Sequence, residues 1–200
     1  MAKINRRYID KHWTMFIIRG ALAVIFSCFM LFSGMKQVEN IVAIIGVFLL
    51  FMGIIDSVGA LYSSTKKHGW INYVVDALVD VVAAVALLSF ARFDLVPSLI
   101  IIAVYVIVSG LIDIFHGFLS TVDPTDKFIR IFTGIAGCVI GAVIINSGDF
   151  ELTTFIRFFG AYMLLVGASS LIYGVHNRSQ NIEDKVARSQ SAKKKHTRKK

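Results

Sequence analysis

A helix needs about 20 consecutive apolar residues to cross the roughly 30 Å hydrocarbon core of a bilayer. This chain contains six such segments: Trp13 to Ser33, Asn40 to Tyr62, Trp70 to Phe90, Val96 to Leu119, Phe128 to Asn146 and Leu152 to Gly174. The segments between them, such as "GMKQVE", "STKKHG" and "VDPTDK", are short and polar. Consecutive spans are therefore expected to form tight antiparallel hairpins. With 56% hydrophobic residues and two prolines in 200 positions, the chain carries more apolar surface than one soluble core of that size hides. It reads as an all-α integral membrane protein with six transmembrane helices and the lipid bilayer as its solvent.

A shift of 57 residues lays the sequence on itself. It places Trp13 on Trp70, Gly20 on Ala77 and Gly134, Phe48 on Tyr105 and Tyr162, Gly53 on Gly110 and Gly167, and Asp56 on Asp113 and Ser170. The membrane domain, residues 13–176, is thus three tandem two-helix hairpin repeats of 57 residues, about 13–69, 70–126 and 127–176. Each unit has an even number of spans, so any pseudosymmetry axis lies along the membrane normal.

The formal charge of +8 sits at the ends: residues 1–12 carry +3, residues 179–200 carry +6, and the middle carries −1. Lys3, Arg6, Arg7, Lys11, Lys66, Lys67, Lys127, Arg130 and Arg178 fall on one side of the spans, against Lys36 and Arg92 on the other. By the positive-inside rule both termini face the cytoplasm. Residues 1–12 then form a basic cytoplasmic N-terminus. Residues 177–200, ending "SAKKKHTRKK", form a basic cytoplasmic tail whose composition predicts disorder and attraction to anionic lipids. Trp13 and Trp70 suit the inner interface, where an indole buries its ring and wets its N–H. The first apolar run is too long for a signal peptide and lacks a small-residue cleavage motif.

Cys28 and Cys138 lie within apolar runs, where a thiol behaves as a small hydrophobe. They predict neither a disulfide nor a metal site. No phosphate loop, zinc motif or nucleophile constellation is present, and "SSTK" at 63–66 stands in a short loop without its companion motifs. Neither an enzyme activity nor a cofactor is expected.

The even spans carry small residues every seven positions: Gly46, Gly53 and Ala60; Ala103, Gly110 and Gly117; Gly160, Gly167 and Gly174. Seven residues are nearly two helical turns, so each set is one stripe along which a neighbouring backbone approaches closely. Span five adds Gly134, Gly137 and Gly141.

Charges inside the spans are the candidate functional residues. Arg19 and Asp56 each lie six residues from the inner end of their span, at a depth of about 9 Å. Their counterparts by the repeat shift are Asp76 and Thr133, and Asp113 and Ser170. Asp80 lies deeper, one turn beyond Asp76, and His116 stands one turn from Asp113 toward the cytoplasm. A carboxylate in lipid costs roughly 2.5 to 3.5 kcal/mol and a short Asp cannot snorkel. These groups are therefore expected in one interior layer around Arg19 as its only guanidinium. Four carboxyl groups around one cation do not all stay ionised in a dry interior. Either some hold protons, or water or a bound cation reaches them.

"WTMFIIRGALAVIF" at the first span and "LLFMGIIDSVGAL" at the second resemble the HdeD family, six-span bacterial inner-membrane proteins built from a short repeat. The resemblance covers about residues 13–176, with Ser170 and Thr133 departing from the pattern. It implies a place in the bacterial cytoplasmic membrane and a role in acid resistance. Three readings of the layer follow: a non-enzymatic sensor or buffer of protons, a proton-coupled transporter or small-solute channel, or a scaffold whose tail recruits a partner. The sequence names no protein partner and leaves open whether the chain forms a homo-oligomer.

Overall fold

A computed structural model describes residues 13–32, 38–64, 70–90, 95–119, 124–146 and 152–197. They form six α-helices: α1 (Trp13–Phe32), α2 (Val38–Ser64), α3 (Trp70–Phe90), α4 (Leu95–Leu119), α5 (Pro124–Asn146) and α6 (Leu152–Thr197). All but α3 contain a stretch long and apolar enough to cross a membrane. The basic N-terminus and most loop residues used in the charge argument, Lys36, Lys66, Lys67 and Arg92 among them, lie outside the described residues. Where composition predicts a disordered tail, α6 instead continues as helix to Thr197.

The outer surface of the bundle is apolar all round. Ile25, Phe29 and Phe32 on α1, Leu78 and Val82 on α3 and Phe115 on α4 are all more than half or nearly half exposed. A soluble protein does not leave so continuous an apolar surface in water.

The closest helix pairs are α2 with α3, α4 with α5, and α6 with α1. The expected unit, the hairpin within one repeat, is the loosely packed one, which corrects the pairing drawn from the 57-residue period. The glycine stripes explain the difference, because each even helix turns its stripe toward the next odd helix. A Cβ placed on Gly46 meets Leu88 and Leu87, and one on Gly53 meets Val81 and Ala77. Gly110 faces Gly134 and Cys138, and Gly117 faces Ile131 and Lys127. On α6, Gly160 faces Leu31, Gly167 faces Val24 and Gly20, and Gly174 faces Ile17 and Trp13. The register is the same in all three antiparallel pairs, so the repeats close into an approximately threefold ring in which α6 docks on α1. Small residues set this choice, because close backbone approach drives association where lipid removes the hydrophobic force between helices.

The ring has two unlike halves. Toward Phe32 and the start of α2, the core is apolar: Met30, Ile41, Ile45, Leu87, Ile102 and Phe159 are fully or almost fully buried. Toward Trp13 and the end of α2, aromatic rings and charged side chains share the interior, with Phe16, Ala60 and Tyr73 as a separate cluster.

Candidate functional site: a charged layer in the bundle

Arg19 projects from α1 between α2 and α3. Its Nη1 donates to Oδ1 of Asp56 at 3.2 Å and lies 3.0 Å from Oδ2 of the same carboxylate. The same nitrogen reaches Oδ2 of Asp76 at 3.5 Å. The other oxygen of Asp76 stands 4.0 Å from Nδ1 of His116 on α4. Five of the six predicted residues, Arg19, Asp56, Asp76, Asp80 and His116, are thus within one linked constellation: Asp80 faces Asp56 across α2 and α3, and its Oδ1 accepts a 2.9 Å hydrogen bond from the Tyr105 hydroxyl.

The sixth, Asp113, pairs with a cation that the sequence reading placed among the loop charges. Nη1 of Arg130 is 3.7 Å from Oδ1 of Asp113, and its guanidinium covers the ring of Tyr173 at 5.2 Å. Arg19 is therefore not the only guanidinium of the layer: two guanidiniums face four carboxyl groups. Arg130 was legible by register. Two steps of 57 back from it stand Tyr73 and Phe16, both buried, so the third repeat puts a cation where the others have an interior ring.

Burial divides the layer into two tiers. Asp56 and Asp80 are 2% and 3% exposed, whereas the Asp76 and Asp113 side chains are 18% and 24% exposed. The outer pair borders a cavity of about 40 Å³ whose wall combines Arg19, Asp76, Asp113, Arg130 and Thr133 with the apolar Phe16, Ile129 and Val166. Within the inner tier, Asp80 belongs to the second repeat alone. At the position of Asp80 the other repeats have Ala23 and Gly137, and opposite them Phe48 and Tyr162 take the place of Tyr105. Phe48 stacks on Phe26 at 3.8 Å, and the Tyr162 ring fills the space beside Gly137. Tyr162 directs its hydroxyl to Ser109 at 3.4 Å. Among the described residues no group of three or more His, Cys, Asp or Glu side chains is arranged to hold a metal ion.

Fold and site together define a multi-pass helical membrane protein with an internal repeat and a charged interior. The chain belongs to the family described as Short repeat of unknown function (DUF308), whose profile matches residues 18–89, 75–146 and 132–187. The matches begin 57 residues apart, which is the period read from the sequence. The first two extend past their own hairpin into the following odd helix, the one on which the glycine stripe packs. No curated protein and no solved structure matches the chain.

Proposed function

We propose that the chain is a non-enzymatic, HdeD-like protein of the bacterial cytoplasmic membrane, linked to acid or envelope stress, in which the buried Arg and Asp layer takes up protons. In this reading all six helices span the bilayer. The apolar exposed face of α3, with Leu78, Val82 and Val85 outward, supports its inclusion, because Asp76 and Asp80 turn the other way. An even number of spans puts both ends on one side, and the excess of Lys and Arg there makes that side the cytoplasm.

The observation that carries the proposal is Asp80: a carboxyl group 3% exposed, in no ion pair among the described residues, facing the carboxyl group of Asp56. Two ionised carboxylates so placed repel strongly in low dielectric. A proton is the smallest counter-charge that relieves them, and Tyr105 orients the site that receives it. The other half of the core, which contains Ile41, Ile45 and Ile102, is lined mainly by apolar side chains. That favours storage or sensing over conduction.

Acidifying the purified protein in lipid nanodiscs consumes more protons for the parent than for Asp80→Asn, while proteoliposomes of either show no sustained proton flux. Equal proton uptake by the two would remove the proton role. A sustained flux that Asp80→Asn abolishes would replace it with a transporter.

A further inference from the structure

The third repeat lacks the charges of the first two at their registers and carries one of its own, Arg130. By the 57-residue register, Thr133 stands where Arg19 and Asp76 stand, Ser170 where Asp56 and Asp113 stand, and Ser169 where Ile55 and Ile112 stand. Arg130 replaces the rings of Phe16 and Tyr73, and Tyr173 replaces Gly59 and His116. All five of these departures line the cavity of about 40 Å³. At Thr133, Ser169 and Ser170 longer side chains give way to short hydroxyls that border the cavity, while Arg130 and Tyr173 bring large polar groups to its wall.

Its chemistry selects the occupant. Thr133 Oγ1 donates its proton back to the Ile129 carbonyl at 2.8 Å, and Ser169 Oγ donates to the Leu165 carbonyl at 2.7 Å. Both therefore offer acceptor lone pairs to the cavity, while Arg19 and Arg130 offer donors. The lining holds two guanidiniums and two carboxyl groups, Asp76 and Asp113, so it presents donors and acceptors side by side and no cluster of one sign. The ion pairs across it are long, at 3.5 Å for Arg19 with Asp76 and 3.7 Å for Arg130 with Asp113. A neutral molecule that both donates and accepts fits such a site. A water needs about 10 to 15 Å³ of such volume and two to four polar partners, so the space takes about three.

We propose that the third repeat forms a hydrated vestibule, a small water cluster held between Arg19, Arg130, Thr133 and the Asp76 and Asp113 carboxylates, through which the layer exchanges protons with the cytoplasm. This rests on the proton reading above and gives it a route. The charged and titratable groups around the water come from the packed elements: Arg19 on α1, Asp76 on α3, Asp113 and His116 on α4, Arg130 on α5 and Tyr173 on α6, with Asp56 on α2 behind Arg19. A proton arriving at Asp113 or Asp76 passes to the tier of Asp56 and Asp80 without crossing apolar core.

Radiolytic hydroxyl-radical footprinting of the full chain in nanodiscs tests the vestibule with water itself as the probe, because radicals form from waters next to the side chain they oxidise. Tyr173 and Phe16, which line the cavity, are oxidised several-fold faster than Tyr162 and Phe159 in the apolar half. Filling the space with Ser170→Leu, or with the milder Thr133→Val, lowers Tyr173 oxidation toward the Tyr162 level. Equal oxidation of Tyr173 and Tyr162 in the parent overturns the vestibule, and so does oxidation unchanged by both substitutions in folded protein. Asp80→Asn separates this inference from the function it serves. It keeps Tyr173 oxidation at the parent rate, so a protein that is labelled but takes up no protons refutes the function and not the vestibule.

Discussion

At the scale of single residues, the two guanidiniums of the layer are not equal. Arg19 holds Asp56, which is 2% exposed, and reaches Asp76 with the same nitrogen. Removing it leaves a buried carboxylate uncompensated, for which losses of about 3 to 5 kcal/mol are typical. Arg130 pairs at 3.7 Å with a carboxylate 24% exposed, a longer and better solvated pair whose loss costs less than that of Arg19. Reversible unfolding in mixed micelles should therefore rank Arg19→Gln well below Arg130→Gln in stability, and equal losses would show that Asp56 is solvated. Tyr105 presents a simpler case. It gives Asp80 the hydrogen bond to Oδ1 at 2.9 Å, and Tyr105→Phe withdraws that donor while keeping the ring. A bond to a buried carboxyl group is worth about 1 to 3 kcal/mol. The same substitution at Tyr162, whose hydroxyl meets Ser109 at 3.4 Å, costs less, and the two unfolding curves side by side check the difference.

At the scale of elements, the glycine stripes decide which helices touch. A Cβ on Gly110 stands 2.6 Å from the Gly134 carbonyl oxygen, a backbone atom that cannot step aside. A Cβ on Gly46 meets Cγ and Cδ2 of Leu88 at 3.0 and 3.1 Å, atoms of a side chain and not of the backbone. Gly110→Ala should therefore destabilise by about 1 to 3 kcal/mol, as overpacking does. Gly46→Ala should be nearly neutral, since alanine also regains up to about 1 kcal/mol of helix propensity. Unfolding measured on the two variants in the same micelles decides this, and a larger loss at Gly46 would mean that α4 and α5 do not approach as described. The 57-residue period identified the repeat but not its packing partner. A hairpin is the unit of sequence, whereas the stripe on its second helix faces the first helix of the next unit, and periodicity alone carries no sign of which way a stripe turns. Arg130 escaped for a related reason. Its position near the start of a span gives it the appearance of a loop cation, and only alignment with Phe16 and Tyr73 shows that the position faces inward.

For the whole molecule, closure of α6 onto α1 makes the chain a ring, and the ring is what brings charges from separate repeats together. Asp76 of the second repeat is held by Arg19 of the first, and Asp113 of the second by Arg130 of the third. The interior positions of Arg19, Asp56, Asp76 and Asp113 were legible because lipid leaves an aspartate no other place to go. The cavity was not, because the short Thr133, Ser169 and Ser170 come to border it only once the ring has closed. Truncation separates the two ends of α6. Removing residues 179–200 leaves the docking face of Gly160, Gly167 and Gly174 and the Arg178 guanidinium over the Trp13 ring intact and should leave unfolding of the bundle unchanged within about 0.5 kcal/mol, as for a surface change. Removing all of α6 uncovers Gly20 and should abolish cooperative unfolding. The central claim, that the layer takes up protons at Asp80, is tested most directly by infrared difference spectroscopy in the carboxylic-acid region as the protein in nanodiscs is taken from neutral to acidic buffer. The account predicts a protonated-acid band in the parent that Asp80→Asn lacks and that shifts in Tyr105→Phe, where the hydrogen bond is gone. Identical spectra from all three proteins would contradict it.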